Sequence, residues 1–387
     1  MPLAVSLGAV ATACGLAVLV PWIGPPENRV RLFAGAVLGF FLAGVIARGV
    51  FWGLKRGGVF RRKLLVVGAG ERARDLVALL DSEGTNPHYD IVFLTNAAYG
   101  DVDPELARLR PSSIIEADED DILRVAREVQ PDEIIVAPDD RRGLKLEGLL
   151  ACKRDGFPVE QYLSFVEHEV RRVDVRRIDL GWLLYSDGFY FGVIDNTLKR
   201  VLDVLASLVL LLAFSPFLLG AAIAILLDDR GPIFYSQERV TRNGRPFRIY
   251  KLRTMRTDAE KGGAVWAAVK DSRITRVGNF LRQSRIDEMP QLWNVLRGDM
   301  SLVGPRPERP QFVDELALHL PLYHERHMVK AGLTGWAQIN YPYGASIEDA
   351  RAKLSYDLYY VKNFSILFDL LILLQTLRVV LWPSGAR

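Results

Sequence analysis

The sequence predicts a membrane-anchored α/β protein. We expect an N-terminal transmembrane helical hairpin, a Rossmann-like doubly wound middle domain, and a C-terminal mixed α+β domain with a re-entrant membrane helix and interfacial helices. Half of the residues are hydrophobic. The chain contains long uncharged runs although 25% of its residues are charged. Short apolar segments alternate with helical patterns in the middle of the chain, and a basic segment follows the third uncharged run. The predicted boundaries are residues 1–56, 61–165 and 193–387, with a linker over 166–192.

The N-terminal hairpin is predicted from two apolar segments. Residues 1–26 contain no charge and residues 32–54 contain only Arg48, so each segment is about long enough to cross a bilayer. A cleaved signal peptide is the alternative for the first segment, but the basic region that begins such peptides is missing. A basic cluster after the second segment places the next residues in the cytoplasm by the positive-inside rule. The cluster consists of Lys55, Arg56, Arg61, Arg62 and Lys63.

The middle domain is predicted from a strand, turn and helix pattern. Residues 63–68 are typical of a buried strand, and the turn G-A-G-E-R-A at 68–73 loosely fits the fingerprint of dinucleotide-binding folds. The acid that would hold a ribose after the second strand is missing, because Thr95 and Asn96 stand there. We therefore expect a Rossmann-like fold without a dinucleotide, acting in regulation, packing or formation of a homodimer. NAD binding is the alternative.

The formal net charge of +3 conceals a strong local asymmetry. Residues 101–140 carry thirteen acidic and four basic side chains, whereas residues 239–256 carry seven basic and no acidic ones. A basic segment beside a membrane run attracts lipid headgroups, nucleotide diphosphates and lipid phosphates. Phe247 and Tyr250 interleave with the cations as in nucleic-acid binders, but the membrane setting and the acidic neighbouring domain argue against nucleic acid. A solvated basic face that binds headgroups is the alternative.

Residues 204–227 form a third apolar run of 24 uncharged residues. Its length favours a spanning helix, but Ser215 and Pro216 lie at its centre, and a proline inside a helix kinks or breaks it. A spanning helix would also move the rest of the chain to the outer face of the membrane, away from nucleotide-activated substrates. We therefore expect a re-entrant helix over about residues 200–228 that turns at Ser215-Pro216. A kinked spanning helix is the alternative.

Candidate catalytic residues follow in the run 282–290, RQSRIDEMP. Asp287 and Glu288 are adjacent carboxylates, which point about 100° apart on a helix and so suit two different tasks. One could attack a phosphorus atom while the other holds a divalent cation. Arg282 and Arg285 would keep a carboxylate ionised by lowering its pKa. A surface salt-bridge cluster is the alternative.

Two further segments bear on function. Prolines bracket Arg306 in the loop GPRPE, and a rigid loop suits a guanidinium that must meet a phosphate in a bidentate manner. A structural turn is the alternative there. Residues 364–382 are mostly apolar but include charged and polar positions, which favours an interfacial or packed helix over a spanning one. These positions are Asp369, Gln375 and Arg378.

Cysteine and histidine patterns do not indicate a disulfide framework or a zinc site. The two cysteines, Cys14 and Cys152, lie in unrelated contexts, the first in an apolar run and the second in a charged stretch. His324 and His327 form an H-x-x-H pair, but a third ligand and the spacing of zinc hydrolases are missing.

The C-terminal half resembles a known family in several ordered motifs. These are FRIYKLRTM, LRQSRIDEMPQLWNVLRGDMSLVGPRPE, KAGLTGWAQINYPYG and YDLYYVKNFS. Over about residues 193–387 they resemble the bacterial polyprenyl-phosphate sugar-phosphate transferases, which are monotopic phosphoglycosyltransferases of exopolysaccharide synthesis. The resemblance implies transfer of a sugar 1-phosphate from a UDP-sugar to a polyprenyl phosphate such as undecaprenyl phosphate, with release of UMP. It also implies a place on the cytoplasmic face of the bacterial cytoplasmic membrane.

The resemblance assigns roles to individual residues. It implies that Asp287 is the nucleophile of a phosphosugar-aspartyl intermediate, that Glu288 is associated with Mg²⁺, and that the helix break falls on Ser215-Pro216. The family's phosphate-binding motifs fall on Lys251, Arg253, Arg256 and Arg306, and we expect Arg282 and Arg285 to bind substrate with them.

Two other functions are the alternatives to this one. A membrane-tethered NAD-dependent sugar-nucleotide epimerase or dehydratase would use the middle domain. A non-enzymatic scaffold would recruit polysaccharide machinery to the membrane through the basic segment.

Overall fold

The computed structural model describes residues 61–381 except for short gaps, together with a few helical residues between 39 and 53. The predicted hairpin of residues 1–56 therefore lies almost wholly outside the described residues. The chain divides into two compact units, Met1–Tyr162 and Leu163–Arg387. The gaps are 83–87, 97–98, 119–120, 141–143, 179, 190–191, 258–272, 343 and 345.

The first unit is built on a five-stranded parallel sheet, as the strand pattern predicts. Its strand order is β3-β2-β1-β4-β5. This order matches five consecutive positions of the 3-2-1-4-5-6 order of a doubly wound sheet. The central strand β1 is flanked on both sides, with Leu64 opposite Ile91 on one neighbour and Glu133 on the other. Its apolar run is continuous because both faces are covered. The strands are β1 Arg62–Val67, β2 Tyr89–Thr95, β3 Ile114–Glu116, β4 Glu133–Val136 and β5 Val159–Gln161.

Helices alternate with these strands. Helix α3 places Ile122, Val125 and Ala126 in one apolar cluster with Leu65 and Ile134 of the sheet. The amphipathic pattern thus predicts both the helix and the face that it buries. The helices are α1 Glu71–Ser82, α2 Pro104–Leu109, α3 Ile122–Val129 and α4 Leu146–Arg154, and α5 Tyr162–Val170 crosses the boundary between the units.

The glycine turn before α1 is closed by the chain itself. Gly68 has a φ of +106°, and a Cβ there would stand 2.8 Å from the carbonyl oxygen of Ala137. The Asp139 carboxylate accepts hydrogen bonds from the backbone N–H groups of Glu71 at 2.7 Å and Arg72 at 2.9 Å. A helix N-terminus at this place binds a pyrophosphate in dinucleotide folds. Here a carboxylate of the protein already supplies the negative charge.

The residues expected to form a linker, 166–192, are packed into the second unit. Glu167 accepts a hydrogen bond from Lys362 Nζ at 2.6 Å, and Val173 is buried and donates its N–H to the Ser355 carbonyl. This stretch also forms the short helix α6, Leu180–Tyr185. The boundary between the units therefore falls inside α5, because these ion-pair and backbone contacts are all with the C-terminal part of the chain.

Helix α7, Val193–Asp228, contains the third apolar run. Within the described residues it is the one helix long and apolar enough to cross a membrane, with a mean hydropathy of 2.6 over its best 18-residue window. Only 11% of that window is buried. A soluble core helix would bury most of such a window, so α7 is suited to an apolar environment outside the protein.

The helix continues through Pro216, where the sequence predicts a break. Proline lacks the N–H that would bond to the carbonyl of Leu212, four residues earlier. The hydroxyl of Ser215 donates to that same carbonyl at 2.8 Å. The serine thus replaces the missing backbone hydrogen bond, and the helical assignment is not interrupted. The re-entrant path itself stays a prediction.

Both ends of α7 contact the second unit. Near its start, Arg200 donates to the carbonyls of Val295 and Leu296, each at 2.6 Å. At its end, Asp228 accepts from the backbone N–H of Val277 at 3.2 Å. Between these contacts the helix is largely uncovered, and Leu212 is 78% exposed.

The rest of the second unit combines a hairpin, a two-stranded parallel sheet and short helices. Strands β6 and β7 pair antiparallel, and β8 pairs in parallel with β9. Apolar side chains of β7 and β8 form one core with α9, α11, α12 and α13. The elements are β6 Phe234–Val240, β7 Pro246–Leu252, α8 Arg276–Gln283, α9 Gln291–Arg297, β8 Ser301–Val303, α10 Pro310–His319, β9 Gly332–Thr334, α11 Trp336–Asn340, α12 Ile347–Lys362 and α13 Ile366–Leu381.

Buried polar contacts join α7 and α13 to this core. Lys199 forms an ion pair with Asp369, and Asp203 accepts from the Ser301 hydroxyl at 3.1 Å and from the Leu302 N–H at 3.0 Å. Asp369 is buried, whereas several leucines on other faces of α13 are exposed. This arrangement agrees with the prediction that the charged positions of residues 364–382 suit a helix packed on the domain.

We predict that the stabilising effect of Ser215 depends on Pro216. Ser215→Ala should lower the free energy of unfolding in detergent by about 1 kcal/mol, because it leaves the Leu212 carbonyl unpaired. Pro216→Ala restores a backbone N–H, so Ser215→Ala should cost almost nothing in that background. Unfolding curves of the two single variants and the double variant measure this coupling. Equal costs in the two backgrounds would contradict the role of the serine.

Candidate active site

The adjacent carboxylates lie in a tight turn between two helices. Helix α8 ends at Gln283 and α9 begins at Gln291, and a 3₁₀ turn, Ile286–Glu288, lies between them. Arg285 opens this turn in the left-handed conformation, with a φ of +59°. The carboxylates are therefore not on a regular α-helix as the sequence analysis assumes. In a 3₁₀ turn successive side chains point about 120° apart, so the two groups still face different surroundings.

Glu288 is held by cations from three parts of the chain. Its Oε1 lies 2.8 Å from Lys251 Nζ and 3.3 Å from Arg306 Nη2. Its Oε2 lies 3.9 Å from Arg285 Nη1. Burial alone would raise the pKa of Glu288, but the charges of Arg306 and Lys251 prevail and hold that pKa well below its usual range. Glu288 is therefore an anion at any physiological pH.

Asp287 is in a different situation. Asp287 is only 7% exposed. Among the described residues, its Oδ1 has no hydrogen-bond partner. Burial, followed by the negative charge of Glu288, raises the pKa of Asp287 to about 6. The charges of Lys251 and Arg282 oppose this rise. The turn thus contains an ionised carboxylate, Glu288, and a desolvated carboxylate, Asp287, whose Oδ1 makes no hydrogen bond. A carboxylate in the situation of Asp287 is suited to act as a nucleophile or general base.

The predicted phosphate-binding cations divide into two groups. Lys251 and Arg306 contact the turn directly, as does Arg285. Burial lowers the pKa of Lys251, and the negative charge of Glu288 opposes this effect. Arg282 influences Asp287 through its charge, and its Nε donates to the Thr254 hydroxyl at 2.9 Å.

The other two cations are directed elsewhere. Arg253 is buried and donates to the carbonyl of Asp229, just after the end of α7. Its Nη1 is without a partner among the described residues. Arg256 has an exposed side chain beside the gap 258–272, and its backbone N–H bonds to the Arg273 carbonyl. The structure therefore does not bring Arg253 and Arg256 to the two carboxylates in the part of the chain that it describes.

Two positioning residues were missed by the sequence analysis. Asn294 of α9 is fully buried, donates to the Arg248 carbonyl at 2.7 Å and accepts from the Tyr250 N–H at 3.1 Å. These bonds fasten β7 to α9 and so hold Lys251 over the turn. The sequence signal for Asn294 is a polar residue on the apolar face of a short helix. Because an amide is not reactive, a search for residue types that act in catalysis does not find it.

The second is Arg326, which holds the loop that carries Arg306. Its Nη2 donates to the Arg306 carbonyl at 3.0 Å and pairs with Asp357 at 2.7 Å. Both charged groups are almost fully buried, so each depends on the other for compensation. The Pro-bracketed loop is thus fixed by a buried ion pair as well as by its prolines.

A divalent cation at the turn would need ligands from elsewhere. In the described part of the chain no group of three or more His, Cys, Asp or Glu side chains is placed to hold a metal ion. Mg²⁺ is often bound by one or two carboxylates together with substrate phosphates. Asp287, with its unpaired Oδ1, and Glu288 fit such a partial site. The cations beside them fit the phosphates that would complete it.

Comparisons with known proteins find relatives of this chain. The family model described as bacterial sugar transferase matches residues 194–383. A UDP-N-acetylgalactosamine-undecaprenyl-phosphate N-acetylgalactosaminephosphotransferase of Aeromonas hydrophila is 42% identical over 252 residues, which cover 64% of this chain and 58% of that protein. A UDP-glucose:undecaprenyl-phosphate glucose-1-phosphate transferase of Caulobacter vibrioides is 43% identical over 190 residues, 49% of this chain and 71% of that protein.

A third relative is longer. A UDP-glucose:undecaprenyl-phosphate glucose-1-phosphate transferase of Escherichia coli is 37% identical over 185 residues, which cover 47% of this chain and 40% of that protein. The chain therefore spans about two fifths of the E. coli protein and under two thirds of the Aeromonas protein. The matched family region, residues 194–383, contains both carboxylates and every cation that contacts them.

We predict that Asp287→Asn stabilises the fold above neutral pH. The folded pKa of Asp287, about 6, lies above the ordinary aspartate value of 3.8, so the contribution of this carboxyl to stability is fully present below about pH 4 and is lost as the pH rises from about 4 to 6. The asparagine carries no such penalty. Its advantage should grow from almost nothing near pH 4 to about 3 kcal/mol above pH 7, by 1.36 kcal/mol for each pH unit between the two pKa values.

Unfolding measurements from pH 4.5 to 7.5 check this prediction. Asp314→Asn removes an exposed carboxylate of α10 and is the matched control. An advantage of Asp287→Asn that does not change with pH, or that the control shares, would contradict the burial of a charged Asp287.

Proposed function

Because the chain belongs to the bacterial sugar transferase family, we propose that it transfers a sugar 1-phosphate from a UDP-sugar to undecaprenyl phosphate. UMP is the second product, and the lipid-linked sugar begins a polysaccharide repeat unit. The observation that carries the proposal is the turn itself. Asp287 has a desolvated oxygen without a hydrogen-bond partner directly beside Glu288. Lys251 and Arg306, which pair with Glu288, can also bind phosphates.

The first step forms a covalent intermediate. A carboxylate oxygen of Asp287 attacks the phosphorus that bears the sugar, and the bond from that phosphorus to the bridging oxygen of UMP breaks. The bonding electron pair leaves with UMP. Charge develops on the leaving phosphate. Lys251 and Arg306, which contact the adjacent Glu288, are the residues proposed to neutralise this charge.

The second step regenerates the carboxylate. A phosphate oxygen of undecaprenyl phosphate attacks the same phosphorus, and the bond between Asp287 and phosphorus breaks. The product is a sugar joined to the lipid through a diphosphate. A single carboxylate can serve in both steps because it acts in turn as nucleophile and leaving group. Glu288 stays anionic throughout, since its pKa is held low by Arg306 and Lys251.

Mg²⁺ is proposed as the resident cation, held by Glu288 with Asp287 adjacent. When bound, it would neutralise charge on the leaving phosphate. The unpaired Oδ1 of Asp287 and the two carboxylates in one turn support this assignment.

We place the second unit on the cytoplasmic face of the bacterial cytoplasmic membrane, with α7 re-entrant. An α-helix from Arg200 to Asp228 would be about 42 Å long if straight, which exceeds the hydrocarbon core of about 30 Å. A spanning α7 would therefore carry its two ends to opposite faces. The partners of those ends, Val295 and Val277, belong to α9 and α8 of one packed unit. Attachment of both ends to one body favours return to the same face.

The two alternative functions have less support. An NAD-dependent epimerase would need the N-terminus of α1, which the Asp139 carboxylate already caps. A scaffold without activity would not require a buried carboxylate with an unpaired oxygen, which is costly to fold. Formation of a homodimer through the first unit stays a prediction of the sequence.

We predict that transfer depends on Asp287. The purified chain in nanodiscs should release UMP from a panel of UDP-sugars that includes UDP-glucose and UDP-N-acetylgalactosamine, in the presence of undecaprenyl phosphate and Mg²⁺. Asp287→Asn should abolish turnover because the amide is not a nucleophile. Without the lipid, the native chain should release at most one UMP per protein and gain the mass of a phosphosugar. Normal turnover by Asp287→Asn, with Asp314→Asn as the matched control, would refute the mechanism.

We predict that both ends of α7 face the cytoplasm. Thr197→Cys and Arg230→Cys, each exposed in the structure and each made in a chain without Cys14 and Cys152, should both react with a water-soluble maleimide in inverted vesicles. Neither should react in intact spheroplasts, and Leu212→Cys should be protected in both preparations. Reaction of the two end positions from opposite faces would establish a spanning helix instead.

A further inference from the structure

A basic cavity lies at the start of α7. It is partly open to solvent. It lies at the C-terminal end of α9, where Arg200 bonds to the Val295 and Leu296 carbonyls, whereas Asp287 precedes the other end of α9. We call it the α7 pocket. Its lining includes Lys199, Arg200, Asp203, Arg242, Lys330 and Phe364.

The α7 pocket carries excess positive charge. Lys199 is paired with Asp369, and Asp203 accepts from Ser301 and Leu302. Lys330 differs, because within the described residues its ammonium group has neither an ion pair nor a hydrogen bond, although it is half-buried. With Lys199 neutralised by Asp369, the remaining lining cations, Arg200, Arg242 and Lys330, outnumber the one anion of the lining, Asp203.

Two of these cations approach one point. Arg200 Nη2 and Lys330 Nζ each lie 3.6 Å from the point where a Cβ on Gly298 would stand. Burial, then the charge of Arg200, lowers the pKa of Lys330, and the negative charge of Asp203 opposes this effect. A tetrahedral phosphate accepts hydrogen bonds from several directions and fits two converging cations.

The position of the pocket identifies the source of the phosphate. Lys199 and Arg200 are the last basic residues before the 24 uncharged residues of α7. With α7 in the bilayer, the mouth of the pocket lies at the level of the lipid headgroups. Phe364, Met328 and Val329 supply an apolar wall, which suits the part of a lipid next to its phosphate.

We propose that the α7 pocket binds the phosphate of an anionic membrane lipid, separately from the site of transfer. The inference rests on the membrane placement of α7 proposed above and not on the transfer reaction. The lipid is either an anionic phospholipid or a second molecule of undecaprenyl phosphate, since both present the same group at the same depth.

Native mass spectrometry of the full chain in a neutral detergent tests the proposal. Phosphatidylglycerol, phosphatidylcholine and undecaprenyl phosphate are added separately, without UDP-sugar, so that failure of the transfer mechanism cannot affect the result. The native chain should retain one phosphatidylglycerol and much less phosphatidylcholine. Lys330→Met should weaken retention about fivefold, the effect of one basic residue at a membrane surface. Lys330→Arg keeps the charge and should restore retention, which excludes misfolding as the cause.

Arg176→Gln is the matched control, because it removes an exposed cation that pairs with Glu348 in the same unit. Equal retention by the native chain and Lys330→Met, or an equal loss in Arg176→Gln, would overturn the proposal. The two lipid sources are separated by competition. If undecaprenyl phosphate displaces phosphatidylglycerol and its own retention falls in Lys330→Met, the pocket binds undecaprenyl phosphate as a second molecule. If neither occurs and retention still depends on Lys330, the pocket binds bulk phospholipid.

Discussion

The burial of two adjacent carboxylates in one short turn is the constraint on which the second unit depends. Taking an anion out of water costs several kcal/mol even after relaxation of the protein, and a like charge next to it adds to this cost. The protein pairs Glu288 with Lys251 and Arg306, whereas the Oδ1 of Asp287 has no hydrogen-bond partner among the described residues. The strand that carries Lys251, the loop that carries Arg306 and the turn itself must therefore meet at one point.

The Lys251 strand, the Arg306 loop and the carboxylate turn are held together by buried side chains that do not take part in the reaction. The amide of Asn294 bonds to the Arg248 carbonyl and the Tyr250 N–H of β7, and the Arg326–Asp357 pair holds the carbonyl of Arg306. The cations are consequently fixed before any ligand arrives. Preorganised charges stabilise a developing negative charge more than mobile ones do, because they need little rearrangement during the reaction.

Helix α7 satisfies two opposite requirements. Its middle is apolar and uncovered, whereas its start and its end are fixed to the protein by charged side chains, among them Lys199, Asp203 and Asp228. Ser215 supplies the hydrogen bond that Pro216 cannot make, which matters in lipid because no water is present to satisfy a free carbonyl. The first unit solves a comparable problem with Asp139, which caps a helix N-terminus that would otherwise attract an anion.

Local patterns in the sequence determined much of this protein. The apolar runs predicted the parallel sheet and the long helix, and the pair Asp287-Glu288 among basic residues predicted the site. Such features depend on neighbouring residues and so are visible in the order of the chain. Only the tertiary structure decided which cations reach the carboxylates. Lys251 contacts Glu288 from 37 residues away and Arg306 from 18, whereas Arg253, just past the end of β7, turns to Asp229.

The different pKa values of the two carboxylates were also decided by the tertiary structure. Each depends on burial and on charges that several distant elements bring together, and the sequence prescribes neither until the chain has folded. The expected linker shows the same limit, because Glu167 becomes part of the second unit only through its contact with Lys362.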